Sequence, residues 1–208
     1  MTMEDNMRDR IGKVNGIYYH DLDIVFDFIR YDIIEAGFNK GLDISTYVDE
    51  NLTADQMKEI YMGLLDGVDV RKYNNWKYDS AKMNIMRLFL KRGFDVSCYM
   101  DHSADQLKEI YDGLMRGIDV TKYDSIKFNH HQMRIIRVGL ERNIDMDQLI
   151  DPSIDPFKMV VLRQVLEKGM DISSYIELNI SCSSFIDLVN RDMIKAGKGQ
   201  VRVGRYSY

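Results

Sequence analysis

The segment Ala54-Asp55-Gln56-Met57-Lys58-Glu59-Ile60-Tyr61 returns fifty residues later as Ala104-Asp105-Gln106-Leu107-Lys108-Glu109-Ile110-Tyr111. The echo continues through Gly63-Leu64, Gly67 and Val68-Asp69-Val70 into Gly113-Leu114, Gly117 and Ile118-Asp119-Val120. A fixed period constrains a fold strongly, because a single short copy cannot bury its own apolar face and must stack on its neighbours. Anchoring on a Gly-x-Asp signal resolves shorter copies: Gly41-Leu42-Asp43, Gly67-Val68-Asp69, Gly93-Phe94-Asp95, Gly117-Ile118-Asp119, Asn143-Ile144-Asp145 and Gly169-Met170-Asp171. The steps are 26 residues, with one of 24. Four residues after each Asp stands Tyr47, Tyr73, Tyr99, Tyr123, Leu149 or Tyr175. Upstream run two apolar columns: Ile34, Ile60, Met86, Ile110, Ile136, Leu162, and Phe38, Leu64, Leu90, Leu114, Leu140, Leu166.

Each copy predicts one helix and one short helical turn. In the copy from Thr53 to Tyr73, Thr53 or Asp55 can cap the start by accepting backbone N–H bonds. Met57, Ile60, Tyr61 and Leu64 then recur at helical spacing. Gly67 stops the helix, since a left-handed residue costs least as glycine, and Asn143 is the usual second choice. Asp69 caps a second turn that carries Val70 and Tyr73 back onto the stack. Gly37, Gly63, Gly113 and Gly139 share one mid-helix column, where Phe89 and Val165 stand in the other copies. Glycine there costs up to about 1 kcal/mol relative to alanine, so close approach of a neighbouring backbone is expected. The copies also alternate. Glu59 and Glu109 occur where Ile85 and Ile135 stand in the others, and Tyr61 and Tyr111 where Arg87 and Arg137 stand. Arrangement in inner and outer helical layers, with pairs of copies as the true period, is the expectation.

The predicted fold is therefore an all-α solenoid of six repeats, each one helix plus one short helical turn, with irregular terminal caps. Residues 1–20 read as an N-terminal cap or leader, 21–183 as the solenoid, 184–197 as a degenerate capping repeat, and 198–208 as a basic flexible tail. Val201, Val203 and Tyr206 leave a short strand open as an alternative for that tail.

Composition narrows the function classes. No run of about 18 apolar residues is present, so no transmembrane helix is predicted. The first twenty residues lack the apolar core of a secretory signal. Cys98 and Cys182 are far apart with no metal spacing, and read as buried free thiols of a cytoplasmic protein. The net charge of −5 is mild. From Arg191 onward the bases Arg191, Lys195, Lys198, Arg202 and Arg205 face Asp192 alone, so the remainder is the more acidic part. Such a body is neither a basic nucleic-acid platform nor an extreme acidic mimic of DNA.

No catalytic constellation emerges. A phosphate-binding Gly-x-x-x-x-Gly-Lys loop, a Gly-x-Ser-x-Gly elbow and a His-Glu-x-x-His pair are all missing. The column Asp43, Asp69, Asp95, Asp119, Asp145, Asp171 has no close acidic partner at a fixed offset, whereas calcium needs six to eight oxygens around one ion. Helix capping explains it. His130 and His131 are adjacent and lack further ligands at zinc spacing. No cofactor, no metal and no enzymatic activity are expected.

Binding residues are the remaining candidates. Arg92, Arg116, Arg142 and Lys168 end their helices, with Asp66 as the exception, and complement the helix dipole there. A second set, Arg87, Lys91, Arg134, Arg137 and Arg163, with Lys58 and Lys108 nearby, would form one ridge interleaved with Tyr61 and Tyr111 in a regular stack. Such a ridge can track a nucleic-acid strand, meet an acidic protein, or simply be a solvated, salt-bridged face. Arg202 and Arg205 extend the candidate surface into the tail. Trp76, the only tryptophan, is expected to be partly buried between copies; if exposed, it is a candidate anchor for a partner.

The pattern Asp-Gln-Met-x-x-Ile-x-x-Gly-Leu-x-x-Gly-x-Asp-Val-x-x-Tyr, carried best by Asp55, Gln56, Met57, Ile60, Gly63, Leu64, Gly67, Asp69, Val70 and Tyr73, resembles short helical repeats in proteins of bacterial phages, plasmids and other mobile elements, chiefly of Gram-positive hosts. The resemblance covers roughly Tyr31 to Tyr175. It implies a non-enzymatic binding protein whose partner is a host protein or ribonucleoprotein complex, including a defence effector that it inhibits. Nucleic acid is the alternative partner, and no membrane is implied.

Overall fold

In the computed structural model of the chain, the described residues are 28–202. The expected leader at 1–20, the start of the solenoid up to residue 27, and the tail from Val203, including Arg205, lie outside them. The chain divides into two compact units, residues 1–104 and 105–208. Every regular element among the described residues is helical.

The first unit holds α1 (Phe28–Asn39), α2 (Ala54–Asp66) and α3 (Ser80–Lys91), each followed by a one-turn 3-10 helix: η1 (Ile44–Thr46), η2 (Val70–Lys72) and η3 (Ser97–Tyr99). α1 packs on α2, and α2 on α3. In the second unit come α4 (Ala104–Met115, beginning at the boundary), η4 (Val120–Lys122), α5 (His130–Glu141), η5 (Asp147–Leu149), α6 (Pro156–Glu167), a short α7 (Ser173–Ile176) and α8 (Cys182–Lys195). Here α5 packs on α6, and α6 on α8. Sequential packing of helix-plus-turn elements is the solenoid-like, all-α organisation that the period predicts. The segment expected as a terminal copy, 184–197, forms most of α8 and the glycine stop at Gly197.

Local chemistry follows the reading of the copies closely. Thr53, rather than Asp55, caps α2 and forms a capping box with Gln56; Asn129 and Gln132 do the same for α5. Asp79, Asp155 and Ser181 cap α3, α6 and α8. Gly67 ends α2 at φ 70°, and the N–H of Val68 donates to the Gly63 carbonyl to close the terminal turn. Asn143 takes the same left-handed conformation at φ 56°. All six column aspartates accept a hydrogen bond from the N–H two residues on, from Asp43 with Ser45 to Asp171 with Ser173. The core is made by the first apolar column, with Ile34, Ile60, Met86, Ile110, Ile136 and Leu162 fully buried.

The glycine column has a different cause from the one expected. The nearest atoms are those of side chains, not of a neighbouring backbone. The tyrosine of the same copy fills the space: a Cβ on Gly37, Gly63 or Gly113 would collide with the hydroxyl of Tyr47, Tyr73 or Tyr123. Each hydroxyl donates across this gap to a helix carbonyl, of Ile33 at 3.3 Å, Glu59 at 3.0 Å and Glu109 at 3.3 Å. Burial raises the pKa of all three phenols far above the ordinary tyrosine value. The exceptions obey the same logic. Where Leu149 replaces tyrosine, Met146 fills the space beside Gly139. Where Phe89 replaces glycine, Tyr99 stacks against its ring at 5.7 Å. Beside Val165, Tyr175 instead donates to Asp192 at 3.0 Å.

Candidate functional site

Three of the four arginines expected on an open ridge are buried, and Arg134 is exposed. Arg87 and Arg137 are 8% and 5% exposed, and Arg163 is also buried. On α3, the Arg87 guanidinium donates to Glu59 at 3.0 Å and to Asp66 at 2.6 Å, both carboxylates coming from α2. Lys91 adds a 2.7 Å bond to Asp66, and Asn84 a 3.0 Å bond to Glu59. On α5, Arg137 donates to Glu109 of α4 at 2.9 Å and to Glu141 one turn along its own helix. Arg116 meets the same Glu141 at 3.0 Å. Arg163 pairs with Glu167 at 3.5 Å, and Glu167 also receives Arg142 at 2.9 Å.

Burial alone would depress the Arg87 and Arg137 guanidinium groups. The carboxylates outweigh that cost and hold both above the usual arginine value. The Lys91 hydrogen bond, opposed by burial and reinforced by Arg87, holds Asp66 below the usual carboxylate range. A buried charge pair contributes geometry more than net stability, because desolvation offsets most of the attraction. Arg87 and Arg137 are thus helix-to-helix pins, whereas Arg163 pairs within its own helix. Sequence did carry their signal: the Glu–Arg offset of 28 residues occurs twice, at Glu59–Arg87 and Glu109–Arg137. It also explains the alternation of the copies. α5 buries Gln132, Met133, Ile135, Ile136, Arg137 and Gly139, while α4 buries only Leu107, Glu109, Ile110 and Gly113.

A second internal device was not legible in the sequence. The third residue of each of the helices α2 to α6 reaches forward to carbonyls of the next pre-helix loop. Gln56 grips the carbonyls of Trp76 and Tyr78 at 3.0 and 2.5 Å. Gln106 grips Ile126 and Phe128, and Gln132 grips Pro152 and Ile154. Lys82 reaches Met100, and Lys158 reaches Ile176 and Leu178. These clamps fix the loops in which the candidate contacts sit.

Of the other candidate residues, Lys58 and Arg134 are exposed, and Lys91 is exposed but paired with Asp66. Tyr61 is half-buried with its ring edge-on to Tyr47 at 6.5 Å, and Tyr111 is likewise half-buried. Trp76 is 58% exposed instead of partly buried between copies. Its loop is nevertheless held: Gln56 takes its carbonyl, Asn74 donates to Thr46 at 2.6 Å, and Asn75 accepts from the Lys77 N–H. The Lys77 ammonium stands 5.5 Å from the indole. At the same place in the fifty-residue echo stands Ile126, 57% exposed and followed by Lys127.

Two smaller expectations change. The first residues of the tail are docked: the Val201 N–H donates to Asn190 at 2.8 Å, the Arg202 N–H to Gln164 at 2.8 Å, and Val201 is buried. The Arg202 side chain is exposed. Cys98 and Cys182 are both exposed, not buried. The His130 and His131 rings lie 3.9 Å apart at the start of α5, and burial followed by the His130 charge lowers the His131 pKa. Among the described residues, no group of three or more His, Cys, Asp or Glu side chains could hold a metal ion, and no helix is long and apolar enough to cross a membrane. Comparison of the chain with protein-family models, curated proteins and solved structures finds no match.

Proposed function

We propose that this chain is a non-enzymatic, cytoplasmic helical-repeat protein that works by binding another protein. The observation that carries this reading is the exposed Trp76, presented on a loop fixed by the Gln56 clamp. A large aromatic side chain held rigid in solvent is the usual form of an interface anchor, because little entropy is lost when it is covered. The internal pairing of Arg87, Arg137 and Arg163 supports a protein partner over nucleic acid, since it takes three of the four ridge arginines off the surface. The partner being a host protein or ribonucleoprotein complex, with inhibition of a defence effector by occluding its surface, rests on the resemblance to phage and mobile-element repeats.

Affinity capture from host-cell lysate, comparing the native chain with Trp76→Ala, tests the reading. A partner retained by the native chain and lost with Trp76→Ala is the expected result. Identical capture by both would remove Trp76 as the anchor. Nucleic-acid binding through Lys58, Arg134 and Arg202 would instead show as an RNA or DNA shift that weakens steeply with added salt, as counterions are released.

A further inference from the structure

The residue two places before α2, α3, α4, α5, α6 and α8 is apolar or aromatic: Leu52, Tyr78, His102, Phe128, Ile154 and Ile180. Leu52, His102, Phe128 and Ile154 are buried, whereas Ile180 is 45% exposed. In the second unit, Ile180 borders a cleft of about 380 Å³ at the N-terminal ends of α6 and α8. Ile154, Phe157 and Phe185 give it further apolar lining, and Asp151, Asp155 and Glu177 supply three carboxylates.

The cleft has one cation in its lining, Lys158, and that ammonium is already engaged. It donates to the carbonyls of Ile176 and Leu178, the second at 3.0 Å, and lies 5.5 Å from the centre of the Phe185 ring. Asp151 accepts the Ser153 N–H at 2.8 Å, which holds its carboxyl below the usual range and therefore ionised. Asp155 caps α6 through one oxygen. A carboxylate accepts about four hydrogen bonds, so both retain capacity for a donor from outside. Apolar lining beside unneutralised acid fits a side chain with an aliphatic stem and a cationic head.

We propose that this cleft receives a basic, apolar segment of a protein partner, an aliphatic side chain covering Ile180 while lysine or arginine meets Asp151, Asp155 and Glu177. The proposal rests on the protein-binding reading and adds the chemistry of the bound segment. Cys182 also lines the cleft and is exposed, which supplies a reporter.

The experiment uses the full chain with Cys98→Ser, leaving Cys182 as its single thiol. The rate of Cys182 alkylation by N-ethylmaleimide is followed against a capped heptapeptide of alternating leucine and lysine, with a leucine–glutamate heptapeptide as the control. The expected result is saturable, several-fold protection by the leucine–lysine peptide alone. Protection should fall several-fold in Asp151→Asn/Glu177→Gln, whose helicity is checked by circular dichroism, and should persist in Trp76→Ala. No protection, equal protection by the acidic peptide, or full protection in the neutralised variant would overturn the proposal. Capture of the same partner by Trp76→Ala would count against the indole as anchor, whereas loss of peptide protection counts against the cleft, so the two failures are distinguishable.

Discussion

Two of the three buried arginines, Arg87 and Arg137, occupy corresponding places in the fifty-residue echo yet are neutralised differently. Arg87 receives both carboxylates, Glu59 and Asp66, from the preceding helix, and Lys91 supports Asp66 from α3. Arg137 receives Glu109 from the preceding helix but takes its second carboxylate, Glu141, from its own, and Arg116, the residue after α4, supports Glu141. Asp66 corresponds to Arg116, and Lys91 to Glu141, so one cross-helix pair has exchanged its signs. What is kept is two carboxylates around each buried guanidinium and one ion pair spanning the helices. Which helix supplies the second carboxylate is free to change.

That difference predicts unequal responses to the same substitution. Glu109→Ala leaves Arg137 without a close carboxylate from α4, since Asp112 is 4.0 Å away, and should cost about 3–5 kcal/mol in urea unfolding. Glu59→Ala should cost less, about 2 kcal/mol, because Asp66 still reaches Arg87 from α2. Equal losses would mean that the source of the second carboxylate is immaterial to stability as well. Glu109 also accepts the Tyr123 hydroxyl through its carbonyl, so the glycine–tyrosine packing meets the ion pair at one residue. Gly113→Ala should therefore cost about 1–3 kcal/mol by overpacking, with much of it recovered when Tyr123→Phe is added.

Smaller effects separate the sites by pH and by surface. The folded-state pKa of Asp66 is depressed, so its contribution is present above its unfolded value and is lost as pH falls through the folded one. Acid unfolding of the native chain should thus be steeper than that of Asp66→Asn in this low-pH window; identical acid profiles would remove Asp66 from the linkage. Trp76→Ala should change unfolding free energy by no more than about 0.5 kcal/mol, as its side chain is largely in solvent. A large loss of stability there would mean that the indole is part of the packing rather than a contact surface.

The parts of the fold set by local chemistry were legible in the sequence. Asp69 two residues before Arg71, Gly67 after α2 and the Met57, Ile60, Leu64 stripe each act within a few residues, so spacing alone reveals them. The parts set between copies were harder to read. Arg87 and Arg137 look like surface groups until Glu59 and Glu109, 28 residues upstream, are placed opposite them. The glycine column was visible, but its cause lies in a tyrosine ten residues on, and only the joint change to Met146 and Leu149 beside the retained Gly139 hints at it. Exposure was the least legible property. Trp76, Cys98 and Cys182 are apolar or reactive types expected inside, and nothing periodic marks them as outside. The docking of Val201 depends on Asn190 and Gln164, whose amides carry no pattern.

The most direct test transplants one site's solution into the other. Asp66→Arg and Lys91→Glu together give Arg87 the arrangement found at Arg137. Urea unfolding should show Asp66→Arg alone losing about 3 kcal/mol or more, by placing a second cation beside Arg87. The double variant should return to within about 1 kcal/mol of the native chain, a coupling well above the additivity limit for independent sites. Additive losses, with no recovery in the double variant, would contradict the rule that two carboxylates from either helix suffice to hold the buried arginine.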